Sequence, residues 1–167
     1  MSSLCGFLAL TLMASTAFAS SCPSDYRPML GTCVQVVIAA RAGEFPIPWE
    51  AARKGCRERG GDLVSLTPPE LLEVISGHID FTWPGHIAED YTFWVGGQKV
   101  GSGWQWLNGH KLSLQSHLWV PGLPPKSPEE PLFARLVPAD SLHGRRYLNI
   151  GGPSGQAPAY ICQAPRS

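Results

Sequence analysis

The stretch Trp49-Glu-Ala-Ala-Arg-Lys-Gly-Cys-Arg-Glu-Arg-Gly-Gly-Asp-Leu-Val64 carries a helix pattern that passes directly into a strand pattern. Trp49, Ala52 and Cys56 recur at intervals of three and four residues, which places them on one face of a helix. The pair Gly60-Gly61 ends such a helix, and Leu63-Val64-Ser65-Leu66 then predicts a short strand. Helix and strand therefore follow each other within one unit.

The flanking sequence predicts one further helix and a series of short strands. A β-prone run over 34–40 precedes the helix just described. A second helix is predicted to begin at Thr67, with Thr67 as its N-cap and Glu70 completing a capping box. Beyond Gly77 the pattern is typical of strands, which are predicted at 91–95, 103–106, 133–137, 146–150 and 159–163. The pair Gly96-Gly97 is predicted to end the first of these strands. The order of elements predicts the α+β class.

Composition and charge exclude several classes of protein. The 167 residues include 13 Lys+Arg and 13 Asp+Glu, so the formal net charge is zero. Binding to nucleic acid or to an anionic membrane requires a basic surface, and we therefore predict neither partner. The 18 glycines and 16 prolines indicate a loop-rich chain, whose length suits a single domain.

The N-terminal 19 residues have the features of a secretory signal peptide. They carry no charged side chain, the run 4–13 is apolar, and Ala17-Phe18-Ala19 matches an A-x-A cleavage site. The apolar run is too short to cross about 30 Å of hydrocarbon, and no later run approaches that length. We therefore predict a signal peptide over residues 1–19, one domain over residues 20–167, and a secreted, extracellular protein.

The cysteines fit an oxidising compartment. Removal of the signal peptide takes Cys5 with it and leaves four cysteines: Cys22, Cys33, Cys56 and Cys162. None of the spacings is C-x-x-C, which argues against a zinc cluster or a redox pair. Structural disulfides are predicted, and the residues alone leave all three pairings open.

No pattern in the sequence predicts catalysis. The chain has no G-x-S-x-G around a serine and no phosphate-binding glycine motif. Its five histidines do not have metal-ligand spacing, and the adjacent acids at 89–90 and 129–130 are typical of solvated loops. We predict a binding protein rather than an enzyme.

Five motifs, in order along residues 20–167, resemble those of the C-type lectin-like domain family. They are Trp49-x-x-Ala-x-x-x-Cys56-x-x-x-Gly-Gly-x-Leu-Val64, Phe93-Trp-Val-Gly-Gly97, Gly103-Trp-Gln-Trp106, Trp119-Val-Pro-Gly122 and Tyr160-Ile-Cys-Gln163. The resemblance implies an α+β fold with two helices, small antiparallel sheets and a long loop region. It also implies that Trp94, Trp104 and Trp106 lie in the core.

The resemblance further implies the disulfide pairing. Cys56 in the first helix would bond Cys162 in the last strand, and Cys22 would bond Cys33 in the N-terminal hairpin of long-form members. The family's usual second internal disulfide is missing from this sequence, because the strands after the long loop contain no partner cysteine for it.

The sequence departs from the family at its calcium site. Sugar-binding members have E-P-N or Q-P-D in the long loop and W-N-D on the following strand, and these oxygens coordinate calcium. Here Leu123-Pro124-Pro125 and Tyr147-Leu148-Asn149 stand in those places, and Asn149 alone keeps a side-chain oxygen of the motif. We therefore predict that the family's calcium site is lost and that no cofactor is bound.

Two functions stay open at this point. The family's habit favours a secreted recognition protein that binds carbohydrate, such as microbial-surface glycans in innate immunity. The missing calcium ligands favour a calcium-independent module for a protein or another non-sugar ligand. The ligand is expected at the proline-rich loop over 120–131 and the strand after it, because binding residues sit on loops held by a rigid scaffold. The candidate contacts are Lys126, Glu129, Glu130, Arg146 and Asn149, and Trp83 is a further candidate because it belongs to no family motif.

Overall fold

Three short helices and nine strands make up the part of the chain that the structure describes. The structure is a computed structural model, and it describes residues 21–39, 41, 43, 46–122, 133–138, 146–152 and 154–166. The helices are α1 (Trp49–Glu58), α2 (Leu71–Thr82) and α3 (His86–Asp90). The strands are β1 (Arg27–Met29), β2 (Thr32–Ile38), β3 (Asp62–Leu63), β4 (Phe93–Val100), β5 (Gly103–Trp106), β6 (Lys111–Leu112), β7 (Phe133–Pro138), β8 (Arg146–Gly151) and β9 (Ala159–Ala164).

The strands form one mixed sheet that brings the two ends of the described chain together. β9 lies between β2 and β4, and the sheet continues from β4 to β5 and β6, while β7 pairs with β4 and β8. This arrangement confirms the α+β class. Two details go beyond the expected two helices and small antiparallel sheets: α3 is a third helix, and β4 runs parallel to β9. α3 has only 5 residues and buries only Ile87, so the sequence shows no helical period there.

α1 follows the predicted pattern and is fixed to the sheet by a disulfide. Its buried face includes Trp49, Ala52 and Cys56. The helix ends before Gly60, whose φ of 81° is a backbone conformation that favours glycine. Cys56 is bonded to Cys162 of β9, which joins the first helix to the last strand. The second disulfide joins the two N-terminal cysteines, 22 and 33, so the pairing implied by the family resemblance is confirmed.

α2 begins later than the sequence predicted. Its first residue is Leu71, and no side chain caps its first turn. The predicted capping box is wrong because the Thr67 hydroxyl accepts a hydrogen bond from the side-chain amide of Asn108 at 2.7 Å instead. Two prolines separate Thr67 from the helix, and their carbonyl oxygens accept the first backbone hydrogen bonds of α2.

β4 continues through Gly96 and Gly97, where the sequence predicted its end. The two glycines allow close packing on both sides of the strand. A Cβ atom at Gly96 would lie 2.6 Å from the carbonyl oxygen of Leu63, and one at Gly97 would lie 2.7 Å from the Cβ of Ala134. These glycines therefore make room for neighbouring strands rather than ending the strand.

The core contains the tryptophans of the motifs. Trp94, Trp104 and Trp106 are buried, as predicted. The indole nitrogen of Trp94 donates a 2.8 Å hydrogen bond to the carbonyl oxygen of Ile47, which satisfies its polar group. Trp83 is only half-buried and packs against the edge of the core.

The sequence predicted an N-terminal signal peptide and no run long enough to span a membrane. Among the described residues, no helix is both long enough and apolar enough to span a membrane. The predicted signal peptide over residues 1–19 lies outside the described residues.

Candidate functional site

A groove opens beside α2, close to the point where β8 begins. Its walls are one side of α2, residues 114–122, and the first two residues of β8, Arg146 and Tyr147. Its volume is about 780 Å³, within the roughly 300–1,000 Å³ of ligand pockets. We call it the α2 groove. The start of the 120–131 loop and the start of the 146–149 strand, both proposed from sequence, meet here.

The α2 wall follows from the amphipathic pattern of that helix. The stripe Leu71, Leu72, Ile75 and Ile79 is buried against the core. A second stripe lies beside it at intervals of three and four residues and lines the groove: Glu70, Glu73, Ser76, Gly77 and Asp80. The groove therefore has a polar wall immediately next to the apolar core.

The opposite wall is held by hydrogen bonds to β8. Trp119 is buried, and its indole nitrogen donates to the carbonyl oxygen of Ser113 at 3.0 Å. The backbone of Leu148 accepts a hydrogen bond from Val120 at 3.0 Å and donates one to Leu118 at 2.6 Å. This wall is consequently part of the sheet scaffold.

Arg146 lies at the floor of the groove and connects four elements. Its side chain is 2% exposed, and Nη2 lies 2.9 Å from Oδ1 of Asp80 on α2. It donates to the carbonyl oxygens of Ser76 at 3.3 Å and Ala88 at 2.7 Å. Its guanidinium carbon lies 5.8 Å from the ring centre of Phe93. The residue predicted as a ligand contact thus also holds α2, α3 and β4 against β8.

Two polar atoms at the floor have no hydrogen-bond partner among the described residues. They are the hydroxyl oxygen of Ser76 and Nε of Arg146. Both residues are buried, with 6% and 4% of their surface exposed. Buried polar groups are normally hydrogen-bonded, so these two atoms are exceptions; both are almost completely inaccessible, so a ligand oxygen in the groove does not reach them in this structure.

The groove carries negative charge at its rim. Glu70 and Glu73 are exposed, and neither forms an ion pair with any residue in the described ranges. Arg146 is the one arginine or lysine among the described lining residues, and Asp80 already neutralises it. His117 is exposed on the opposite wall.

Asn149 lies on β8 away from the groove. It is half-buried, and its side-chain oxygen accepts a 2.7 Å hydrogen bond from the backbone nitrogen of Ile150. In the sheet it faces Arg135 of β7. The structure therefore separates Asn149 from Arg146, although the sequence analysis proposed them together.

A family model, the lectin C-type domain, matches residues 46–131, just over half of the chain. The chain belongs to the C-type lectin domain family. Mouse L-selectin is 32% identical over 82 residues, which is 48% of this chain and 20% of that protein. The chain thus spans about a fifth of the length of this relative.

Solved structures of C-type lectins share the fold. The C-type lectin domain of murine dendritic cell inhibitory receptor 2, in complex with N-glycan, has a TM-score of 0.66 at 16% identity, covering 87% of this chain and all of that one. A calcium-independent type II antifreeze protein has a TM-score of 0.62 at 17% identity, covering 88% of this chain and 96% of that one. These identities establish the common fold alone.

On β8, the positions matched to the family's calcium motif include one apolar residue and one amide oxygen that already accepts a hydrogen bond. Leu148 is fully buried in the core, and the side-chain oxygen of Asn149 is already hydrogen-bonded to the backbone. No cluster of three or more His, Cys, Asp or Glu suited to a metal occurs within the described ranges. A calcium ion needs six to eight oxygen ligands, and β8 offers at most one side-chain oxygen of the motif.

Several predicted contacts cannot be placed, and several groove residues were missed. Lys126, Glu129 and Glu130, together with the 123–125 tripeptide, lie outside the described residues. The α2 wall was missed because its polar residues look like an ordinary solvated helix face in the sequence. The capping prediction drew attention to Glu70, but no local pattern shows which loop faces a helix.

The remaining candidate, Trp83, belongs to a different surface. It lines a cavity of about 380 Å³ with Arg41, His86 and Tyr91, among other residues. Phe81 is close in sequence and is 89% exposed. This surface is aromatic, whereas the α2 groove is acidic.

Proposed function

We propose that this chain is a secreted carbohydrate-recognition protein that binds glycans in the α2 groove without calcium. The observation that carries the proposal is the groove itself, about 780 Å³ in volume, with a polar wall that includes the exposed carboxylates of Glu70 and Glu73. Membership of the C-type lectin family supports a recognition role, and a structural neighbour holds an N-glycan.

The lining residues have the chemistry that direct sugar binding requires. The carboxylates of Glu70 and Glu73 accept hydrogen bonds from sugar hydroxyls, and the Gln115 amide can donate or accept. Leu114 and Pro121 provide apolar surface for the C–H faces of a sugar ring. A groove with these groups can orient a hydroxyl-rich ligand through its own side chains.

The donor set on β8 supports binding without calcium, as does the tripeptide Leu123-Pro124-Pro125 in the sequence. The structural relationship to a calcium-independent antifreeze protein is consistent with this proposal. We further propose that the protein is not an enzyme, because the residues that line the groove include no nucleophile paired with a base in the described part.

The proposal of secretion rests on the sequence of residues 1–19 and on the disulfides. Two disulfides in one small domain are typical of an oxidising compartment. We propose that the glycans are external ones, such as those of microbial surfaces in innate defence.

A second candidate function is recognition of a protein or another non-sugar ligand. The observation that favours it is the aromatic surface around Trp83, with Phe81 89% exposed. Exposed aromatic residues are enriched at protein interfaces. A ligand of this kind would bind at the Trp83 surface, outside the α2 groove.

A glycan array with two matched variants tests the proposal. Gly77→Tyr places a ring in the groove, since a Cβ atom at Gly77 meets open space. Val74→Tyr places the same ring on an exposed part of α2 that does not line the groove. The array is run in calcium and in a chelator.

We expect the wild type and Val74→Tyr to bind the same glycans with calcium or chelator, and Gly77→Tyr to lose them. Hits that disappear in chelator would contradict calcium-free binding. Hits that persist in Gly77→Tyr would contradict the groove as the site.

A further inference from the structure

Phe81 is the most exposed large apolar side chain in the described part of the chain. It lies in the last turn of α2, and 89% of its surface is exposed, compared with 51% for Leu30 and Val100, which come next. Burial of an aromatic side chain removes roughly 150–250 Å² from water and is strongly favourable. The ring of Phe81 is therefore available to fill a cavity on another molecule.

A cavity with aromatic walls lies beside Phe81. Its volume is about 380 Å³, and it is lined by Thr82 and Trp83, which directly follow Phe81 in the chain. We call it the Trp83 cavity. Its lining also includes His86 and Tyr91, whose rings meet edge to face with their centroids 4.9 Å apart. Because a space of about 150 Å³ is enough to hold benzene, the Trp83 cavity can accept a phenyl ring among aromatic neighbours.

Phe81 does not fill this cavity in its own molecule. It is not one of the described residues that line the cavity, and its ring stays exposed. A second copy of the chain carries the same ring and the same cavity, next to each other on one surface. A two-fold axis between ring and cavity lets each ring enter the cavity of the other copy, which is the self-complementary contact of a two-fold dimer.

The charges around the cavity are complementary in the same way. Arg41 lines the cavity and is exposed, and Glu89 and Asp90 are exposed on α3, the helix whose first two residues also line it. Within the described ranges, none of these three side chains forms an ion pair. One rim therefore carries both signs of charge, and in a two-fold contact the cation of each copy can face the acids of the other.

We propose that this face is a dimer interface between two copies of the chain, in which Phe81 of each copy fills the Trp83 cavity of the other. Arg41 of each copy pairs with Glu89 or Asp90 across the interface. No described residue lines both the Trp83 cavity and the α2 groove, so the inference is independent of the proposed glycan site. A dimer of this kind presents two grooves to a multivalent ligand, which raises avidity.

Sedimentation equilibrium of the disulfide-bonded protein, from about 1 µM to about 500 µM, tests this inference. A single aromatic anchor in each half gives a small interface, so we expect a Kd on the order of 10 µM. Phe81→Ser should weaken dimerisation at least about thirtyfold, because the lost anchor is counted in both halves of the dimer. Its ring is 89% exposed, so the Tm at low protein concentration should stay unchanged. The matched control is Val100→Ser, which removes an exposed apolar side chain at the end of β4 and should leave dimerisation intact.

A charge exchange between two variants tests the proposed pairing. One variant carries Arg41→Glu, and the other carries Glu89→Lys with Asp90→Lys. Each variant alone places like charges at both contacts, so we expect its self-association to fall about tenfold at low salt. An equimolar mixture has opposite charges at both contacts of the mixed dimer, and it should associate with about the affinity of the wild type.

Three results would overturn the inference. They are a wild type that stays monomeric at about 500 µM, a Phe81→Ser variant that dimerises like the wild type, and a mixture of the two charge variants that associates no better than either variant alone. A monomeric wild type would leave the Trp83 surface to a different protein and would not affect glycan binding in the α2 groove.

Discussion

Replacement of Arg146 by methionine should destabilise the whole domain, because the guanidinium joins α2, α3 and β4 to β8. The change removes hydrogen bonds to the Ser76 and Ala88 carbonyl oxygens and the 2.9 Å ion pair to Asp80. A hydrogen bond from a charged donor contributes about 1.5–3 kcal/mol, and relief of the desolvation of a buried charge offsets part of the loss. We expect a net loss of about 2–3 kcal/mol.

Urea unfolding followed by tryptophan fluorescence, with the disulfides intact, measures this loss. Its thermal equivalent is a fall in Tm of about 4–12 °C for a domain of this size. Asp80→Asn is the matched control. Asp80 is 42% exposed, so its replacement leaves Arg146 with two carbonyl acceptors and should cost about 1 kcal/mol. An Arg146→Met variant within about 0.5 kcal/mol of the wild type, or a larger loss in Asp80→Asn, would refute the reasoning.

Four further measurements follow from the fold and the site. Replacing Cys56 and Cys162 by serine opens a loop of 106 residues and should cost about 4–5 kcal/mol in urea unfolding. Opening the 11-residue N-terminal loop in the same way should cost less, about 3 kcal/mol, and the reverse order would contradict the chain-entropy reasoning. Gly96→Ala should lose about 1–3 kcal/mol through overpacking against a carbonyl oxygen of β3, whereas Gly77→Ala, with open space around it, should gain about 0.5–1 kcal/mol. Burial, and to a lesser extent repulsion from the arginine of β1, lowers the pKa of His78. The contribution of His78 to stability is therefore fully present above about pH 6.5 and declines as the pH falls from that value towards the lowered pKa. The wild type should lose stability relative to His78→Gln between about pH 7.5 and about pH 5, and parallel stability curves for the two proteins would exclude the pKa shift. Calcium at millimolar excess should leave the Tm unchanged, because a tightly bound ion stabilises the folded state by mass action, and a clear rise would indicate a calcium site.

The sequence predicted the elements well where local pattern and burial agree. The face of α1 with Trp49 and Cys56, and strands such as β5 and β9, are visible as periodic apolar residues. β4 was cut short because Gly96 and Gly97 look like a strand terminator. Only the packed sheet shows that they provide room for neighbouring strands. The pairing of the cysteines could not be derived from spacing and came from the family resemblance.

The candidate site was less accessible to sequence reasoning. Arg146 was identified as a ligand contact because it follows the long loop, whereas its ion pair and carbonyl partners come from helices distant in sequence. Ser76 and Glu73 carry no local signal, since serine and glutamate are common on exposed helix faces. Their role depends on residues 114–122 lying across from α2, which is a tertiary feature.

The measurement that tests the central claim most directly is a titration followed by ¹H–¹⁵N correlation spectra in chelator, using a glycan selected on the array. We predict that the shifted signals cluster at the α2 groove, at Ser76, Gly77 and Tyr147, and that adding calcium changes neither their position nor the affinity. Shifts confined to the Trp83 surface, or shifts that appear only when calcium is added, would contradict calcium-free glycan recognition in the groove.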